Sequence, residues 1–406
     1  MKKRIFLVLL LSVLFLLPLF GGYAKAAPAA EPIRVGRIDS VSGPEAMLGD
    51  LQKRGMEFGL DQIGWTFMGR KIEVYREDSP PNVQANVENA KRLVEGRKVH
   101  ILFGPIKTDH YAAVTAWINN TPKIPHIEHL TCLQSVLAKN YWSFSMSATT
   151  EAYSQATAQF VYNQLGFRKV ATTGPDFVGG RIMMNNFKLR FEKLGGQVVY
   201  QQWAPFGTMD FGPYMLSLKE NGQKNNIDGL IAWFVGEDAI RWVKQYSEYG
   251  LKKLWPNPVA PEETPVSVFN IPAMGDAAIG MRAGVLLYLP LEKENTKKYY
   301  DAFKAKYGEA PNSHNNVGYI EFQLLMEALK QSNGSTDPEK LRQGLKSLKF
   351  NTICWDDFHY LQDINAALVT MTFVEVVKQA DGKLGWKKIG EIKPMPIPSM
   401  NDIWVP

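Results

Sequence analysis

Cysteine is almost missing from this chain: among 406 residues only Cys132 and Cys354 carry a thiol. Neither lies near the amino terminus, so no thiol is available there for a lipid anchor. Histidine is scarce too, with six in all. The closest two in sequence, His126 and His129, do not supply the three or four convergent ligands that a metal site needs. Familiar catalytic signatures are absent: no G-x-S-x-G, H-E-x-x-H, P-loop or strand-linked G-x-G-x-x-G occurs. Acid pairs such as Glu77-Asp78, Glu262-Glu263 and Asp356-Asp357 are sequence neighbours that point different ways, so spacing alone singles out no general acid. Ser42 comes with no base or oxyanion hole that the sequence identifies. No catalytic residue, metal or cofactor is therefore expected.

Apolar runs are short except at the start. Met1-Lys2-Lys3-Arg4 precedes an apolar stretch from Ile5 to Phe20, and Ala24-Lys25-Ala26 follows. This is the charged region, apolar region and small-residue cleavage site of a secretory signal peptide. Pro18 interrupts the stretch, which falls short of the roughly 20 residues a spanning helix needs. Residues 1–26 are expected to be removed, leaving a soluble exported protein without a lipid anchor. The formal net charge of +6 includes Lys2, Lys3, Arg4 and Lys25, and no acid lies in residues 1–26. The remainder carries about +2, which gives no reason to expect a nucleic-acid partner. An exported protein can oxidise its thiols, so Cys132 and Cys354 are a disulfide candidate; two separate buried thiols are the alternative, since spacing cannot bring sulfurs together.

What remains alternates between short β-branched runs and helical-period stretches. Ile33–Ile38, Ile72–Tyr75, Val99–Phe103 and Ile124–Ile127 read as strands, with helices at Ala46–Ile63, Val83–Glu95 and His110–Ile118 between them. A second series begins after Tyr141–Met146, with strands at Lys169–Thr173, Val198–Gln202 and Gly229–Phe234. Such alternation predicts an α/β protein of parallel sheets with helices on both faces. At roughly 380 residues after processing, two domains are the expectation. We place a first lobe at 31–147 plus 291–362 and a second at 148–290 plus 363–406: two doubly wound lobes joined by a three-crossing hinge. Four prolines between Trp255 and Pro265 predict a rigid loop there, with neither helix nor central strand.

In open α/β sheets, ligands sit beyond the carboxyl ends of the strands. Loops at those ends hold Ser42-Gly43-Pro44, Gly104-Pro105-Ile106-Lys107-Thr108-Asp109, Glu128-His129-Leu130-Thr131, Gly174-Pro175-Asp176-Phe177-Val178-Gly179 and Val235-Gly236-Glu237-Asp238. Hydroxyls and free amides at helix starts would favour a carboxylate, although Ser42, Thr108 and Thr131 serve equally well as helix caps. Phe177, Trp233 and Phe234 offer an aromatic wall. Because Trp233 and Phe234 adjoin on one strand end, they face opposite ways, and one of them belongs to the core.

These elements resemble a known family. Ile33-Arg34-Val35-Gly36 with Ser42-Gly43-Pro44, then Gly69-Arg70-Lys71-Ile72-Glu73-Val74 and Glu77-Asp78-Ser79, match its opening in order. Ala85–Val94, Gly104-Pro105, Lys306-Tyr307-Gly308-Glu309-Ala310-Pro311 and Gly318-Tyr319 continue the match. The chain resembles the periplasmic solute-binding proteins of branched-chain-amino-acid-type ABC transporters, of the type I periplasmic-binding-protein fold. The resemblance implies a non-catalytic, periplasmic, monomeric protein that captures an amino acid or related small carboxylate, aromatic ones included, and delivers it to a permease. It implies that Thr108, with Lys107 beside it, holds the ligand carboxylate and that Leu130 and Thr131 form the next carboxylate-binding turn. Phe177 or Val178, and Trp233 or Phe234, would line the second lobe. Amino-acid binders place an acid for the ammonium group in the loop matching Trp255–Glu263. Here Val259 falls near that position, and Glu262 reaches it only by a shift of three. A sensor subunit docking on a signalling receptor is the alternative, and a secreted hydrolase the third.

Overall fold

Strands buried on both faces belong to parallel sheets covered by helices, and β1 (Ile33–Asp39) has six of its seven residues buried. Around it lie β2 (Thr66–Phe67), β3 (Arg70–Asp78), β4 (Ile101–Phe103), β5 (His126–Glu128) and β6 (Ser143–Ser145). Their order is β2-β3-β1-β4-β5-β6, parallel except at β2–β3. The computed structural model describes residues 31–405 apart from Pro44, Thr131 and Gln362. The expected signal segment, 1–26, and the candidate Thr131 lie outside the described residues.

The second sheet takes β7 (Lys169–Pro175), β8 (Gln197–Ala204), β9 (Gly229–Ala232), β10 (Val259–Ala260) and β11 (Arg282–Val285). A small ribbon of β12 (His359–Tyr360) and β13 (Ala367–Leu368) follows, then β14 (Met371–Lys378) and β15 (Leu384–Ile392). The order is β15-β14-β11-β10-β9-β7-β8, with β14 and β15 antiparallel at one edge. Contrary to the sequence expectation, the prolines of Trp255–Pro265 do not exclude a central strand; they shorten it to two residues. Val259 and Ala260 pair with β9 and β11, while Pro258 still offers its carbonyl to the Arg282 amide at 2.9 Å. A proline lacks only the donor, so flanking prolines leave the ladder between them intact.

The chain passes between the sheets three times: between β6 and β7, after β11, and between β13 and β14. The first and third passages are bonded together, Ser145 N donating to Asn365 O and Ala367 N to Ser147 O, both at 2.9 Å. A hinge of several connected strands lets two lobes rotate as rigid bodies.

Between the second and third passages the chain returns to the first sheet with helices Glu294–Tyr307, Ser313–Gln331 and Pro338–Lys346. Helix Ser313–Gln331 lies along helix Ala46–Gln62, and glycines set their separation. A Cβ on Gly318 would stand 1.8 Å from the Gln52 carbonyl oxygen, and one on Gly55 would stand 1.9 Å from that of Asn315. Only glycine permits that approach.

Beneath this contact lies a buried ion network. Arg37 donates to both Asp39 oxygens at 3.1 and 2.9 Å and to Glu321 at 2.5 Å. His129 bridges the same two acids, its Nδ1 2.5 Å from Glu321 and its Nε2 3.1 Å from Asp39. All four side chains are sealed from solvent. Burial alone would push His129 down, but Glu321 and Asp39 outweigh it and raise the imidazole to about 9. Burial likewise works against the Asp39 carboxylate, yet Arg37 and His129 hold it far below the usual range.

Cys132 and Cys354 are separate buried thiols rather than a disulfide. Cys132 packs with Tyr111, Leu137 and Ala366, whereas Cys354 belongs to the main core. Burial, reinforced by Glu128 for Cys132 and by Glu263 for Cys354, drives both thiols well above their ordinary range. Thiolate-directed reagents should therefore label neither cysteine in the native protein and both after denaturation; one equivalent of rapid native labelling would contradict this packing.

Removing one member of a buried ion network strands the others, at a cost of about 3–5 kcal/mol. Glu321→Ala should lower stability in urea titration by that amount. The raised value of His129 stabilises the fold fully below about pH 6.5, its ordinary value, and this contribution fades as pH climbs through about 9. Unfolding measured at pH 6, 8 and 10 should show that alkaline decline, and His129→Asn should flatten it.

Candidate ligand-binding site

Where the carboxyl ends of both sheets face each other, a cavity of about 840 Å³ opens. Its walls are the loops after the strands: Glu45–Leu48 after β1, Ile106 after β4, Leu130 after β5, Phe206 after β8, Val235–Asp238 after β9 and Glu262–Thr264 after β10. Tyr153 and Leu287 come from the hinge side, and Ser313, His314 and Val317 from the start of the returning helix. The volume lies within the range of small-molecule sites, which are mostly apolar with a few placed polar groups.

Cations in this cleft are already paired. Arg241 donates to Glu237 at 2.9 Å and to Asp238 at 2.5 Å, and Lys107 lies 3.2 Å from Glu45 at the rim. Glu262 and Glu263, by contrast, form no ion pair among the described residues. The Trp233 indole donates to Oε1 of Glu262. Thr264 donates to Oε2 twice, from its amide at 3.0 Å and its hydroxyl at 2.8 Å. Burial raises the Glu262 carboxyl, with those donors opposing it. Burial and the neighbouring Glu262 push Glu263 up to about 7. The floor is thus a pair of carboxyls without a protein counter-ion.

The sequence candidates distribute unevenly over this geometry. Leu130 and Glu262 line the cavity. Trp233 stands behind Glu262 and orients it. Ser42 donates its hydroxyl to Asp78 at 2.5 Å, and its amide donates to the same carboxylate at 3.2 Å. Thr108 opens the helix Thr108–Asn120, half-buried and outside the lining, as is Lys107. Phe177 lies between Trp233 and Phe206, 6.1 and 5.8 Å from their ring centroids. Val178 starts the next helix with 59% of its surface exposed. Phe234 does not reach the cleft: it stacks on Trp242 at 5.7 Å and meets Phe211 edge-on at 5.2 Å, in the second-lobe core. Val259 is wholly buried within β10, so the acid nearest the expected ammonium position is Glu262.

Several lining residues were not read from the sequence as site residues, Phe206, Tyr153, His314 and Phe269 among them. Phe206 follows the β8 exit, and the strand-end rule applied there would have found it. Tyr153 and His314 sit in first turns of helices, and Phe269 in a loop; only the meeting of the two lobes makes them neighbours.

A pair of α/β lobes on a three-stranded hinge, with a ligand-sized cavity between facing loops, defines a solute-binding protein. The model of the periplasmic binding protein family matches residues 32–383, and the chain belongs to that family. A Leu/Ile/Val-binding protein homolog of Brucella melitensis is 27% identical over 331 residues, covering 80% of this chain and 83% of the relative. The structure of an ABC transporter substrate-binding protein from Sphaerobacter thermophilus superposes with a TM-score of 0.83 at 28% identity, over 90% of this chain and 98% of that one. A solute-binding protein of an ABC transporter from R. palustris, in complex with 4-hydroxybenzoate, gives 0.79 at 26% identity over the same shares. The fold is that of the type I periplasmic binding proteins. These are non-enzymatic proteins, and this chain likewise binds rather than transforms its ligand. Among the described residues, no helix is long and apolar enough to cross a membrane.

Proposed function

We propose that the protein is the periplasmic substrate-binding component of an ABC importer, exported by its amino-terminal signal and acting as a monomer. It captures an amino acid or related small carboxylate between lobes 31–147 plus 291–362 and 148–290 plus 363–406, and delivers it to the permease. The observation that carries this reading is the carboxyl pair Glu262 and Glu263 on the cavity floor, which no cation among the described residues pairs. A buried carboxylate without a counter-charge is costly, and an ammonium group is the complement that removes that cost. Leu130 then packs on the ligand body, and Trp233 keeps Glu262 aimed. Of the sequence candidates, Thr108 and Thr131 are the hydroxyls we assign to the carboxylate end; Ser42 and Lys107 are already engaged by Asp78 and Glu45, and Phe177 and Val178 lie at the far rim.

An aromatic carboxylate is the second reading. It is favoured by the rings of Tyr153, Phe206 and Phe269 around the cavity and by the 4-hydroxybenzoate complex of the R. palustris relative. Thermal-shift titration with the L-amino acids and with hydroxybenzoates separates the two. A ligand at 100 times its Kd stabilises the folded state by about 2.7 kcal/mol. Glu262→Gln should weaken an amino acid about 10- to 100-fold, the effect of losing a charged hydrogen bond, and leave 4-hydroxybenzoate nearly unchanged. Amino-acid affinity indifferent to that substitution would remove Glu262 from the site.

A further inference from the structure

Gly55 and Gly318 press helix Ser313–Gln331 onto helix Ala46–Gln62, and this brings Gln52 beside His314. The Gln52 amide nitrogen lies 3.5 Å from Nδ1 of His314. An amide nitrogen only donates, so Nδ1 accepts and the ring proton resides on Nε2. Gln52 is 2% exposed, so packing holds it in place. The His314 backbone is fixed as well, its amide donating to the Asn312 side chain at 3.0 Å.

The ring lines the interlobe cavity. Across the cleft it faces Phe269 of the second lobe, with centroids 6.3 Å apart. Among the described residues, Nε2 has no hydrogen-bond partner. Two histidines thus stand near one another in opposite states. His129, between two carboxylates, is charged; His314, with none beside it, is pushed down to about 4 by burial and then by the His129 imidazolium. The same cavity is lined by the charged groups Glu45, Glu237, Asp238, Arg241, Glu262 and Glu263, the last hydrogen-bonded to Ser313. With Arg241 and Lys107 engaged by acids, His314 is a free donor at the ligand's end of the cavity.

We propose that His314 is a specificity-determining residue of the cleft, donating Nε2–H to a carboxylate oxygen of the ligand whose ammonium end is held at Glu262. This rests on the amino-acid reading of the site. A neutral imidazole donor, unlike a cationic one, discriminates by direction: it needs an acceptor oxygen at one place, and a plain amine leaves it unmatched. Phe269 closes over the ring from the other lobe, so the contact is completed only when both lobes meet.

The test combines spectroscopy and binding. Nitrogen-15 NMR of the wild-type imidazole should show a neutral Nε2–H tautomer from pH 5 to pH 8; a midpoint near 6.5, or a proton on Nδ1, overturns the proposal. Calorimetry then uses L-leucine and L-phenylalanine, with phenethylamine as the ligand lacking a carboxylate. His314→Phe should weaken the amino acids about 10- to 100-fold and phenethylamine by less than about threefold. His314→Gln, which keeps a donor near the Nε2 position, should recover most of the loss. Urea titration of both variants separates a folding defect from a binding defect. If Glu262→Gln weakens an amino acid and His314→Phe does not, the inference falls and the amino-acid reading stands. If neither amino acid binds the wild-type protein, both fall.

Discussion

The buried network of Arg37, Asp39, His129 and Glu321 is the constraint on which the rest of the molecule depends. Arg37 and Asp39 end β1, His129 follows β5, and Glu321 comes from a helix that the chain supplies 284 residues after Arg37. Charges sealed from water hold only in a narrow geometry, because the desolvation cost is offset only when every donor meets its acceptor. The network therefore fixes the returning helix against the first sheet and sets the height of the loops that leave it. Ser313 and His314 enter the cleft because Glu321, two turns further along, is pinned.

The cleft follows a different electrostatic rule. In the first-lobe scaffold Arg37, Asp39, His129 and Glu321 neutralise one another; inside the cleft, Arg241 and Lys107 are matched by acids while Glu262 and Glu263 are left to an incoming group. Trp233 and Thr264 aim Glu262 without neutralising it. The same residue types thus serve as fixed scaffold on one side of β5 and as open ligand chemistry on the other. Burial explains both: it penalises charge everywhere, and what differs is whether the fold or the ligand supplies the partner.

Much of the architecture was legible in the residues. β1 announced itself by a largely buried strand holding Ile33, Val35 and Ile38, and β3 by the alternating Ile72 and Val74; the alternation with helices predicted two parallel sheets. Strand-end loops could be singled out as a class, since a parallel sheet places all such loops on one side. Individual side chains were harder. Phe234 and Trp233 adjoin, and only their packing decides that Phe234 joins Trp242 while Trp233 turns to Glu262. Ser42 reads as a free hydroxyl until Asp78, 36 positions away, is seen to accept it. The prolines around Val259 suggested a loop, because a missing donor is visible in sequence whereas a retained acceptor is not.

By itself, then, the sequence determined the alternating α/β order, the small net charge and the absence of catalytic and metal-binding patterns, all of which depend on residue type and local spacing. The tertiary structure alone decided which polar groups remain unpaired. His129 is charged and His314 neutral, Cys132 and Cys354 stay apart, and Glu262 and Glu263 face a cavity without a counter-ion. Each of these outcomes depends on partners dozens to hundreds of residues distant, and charge and hydrogen bonding act through space rather than along the chain.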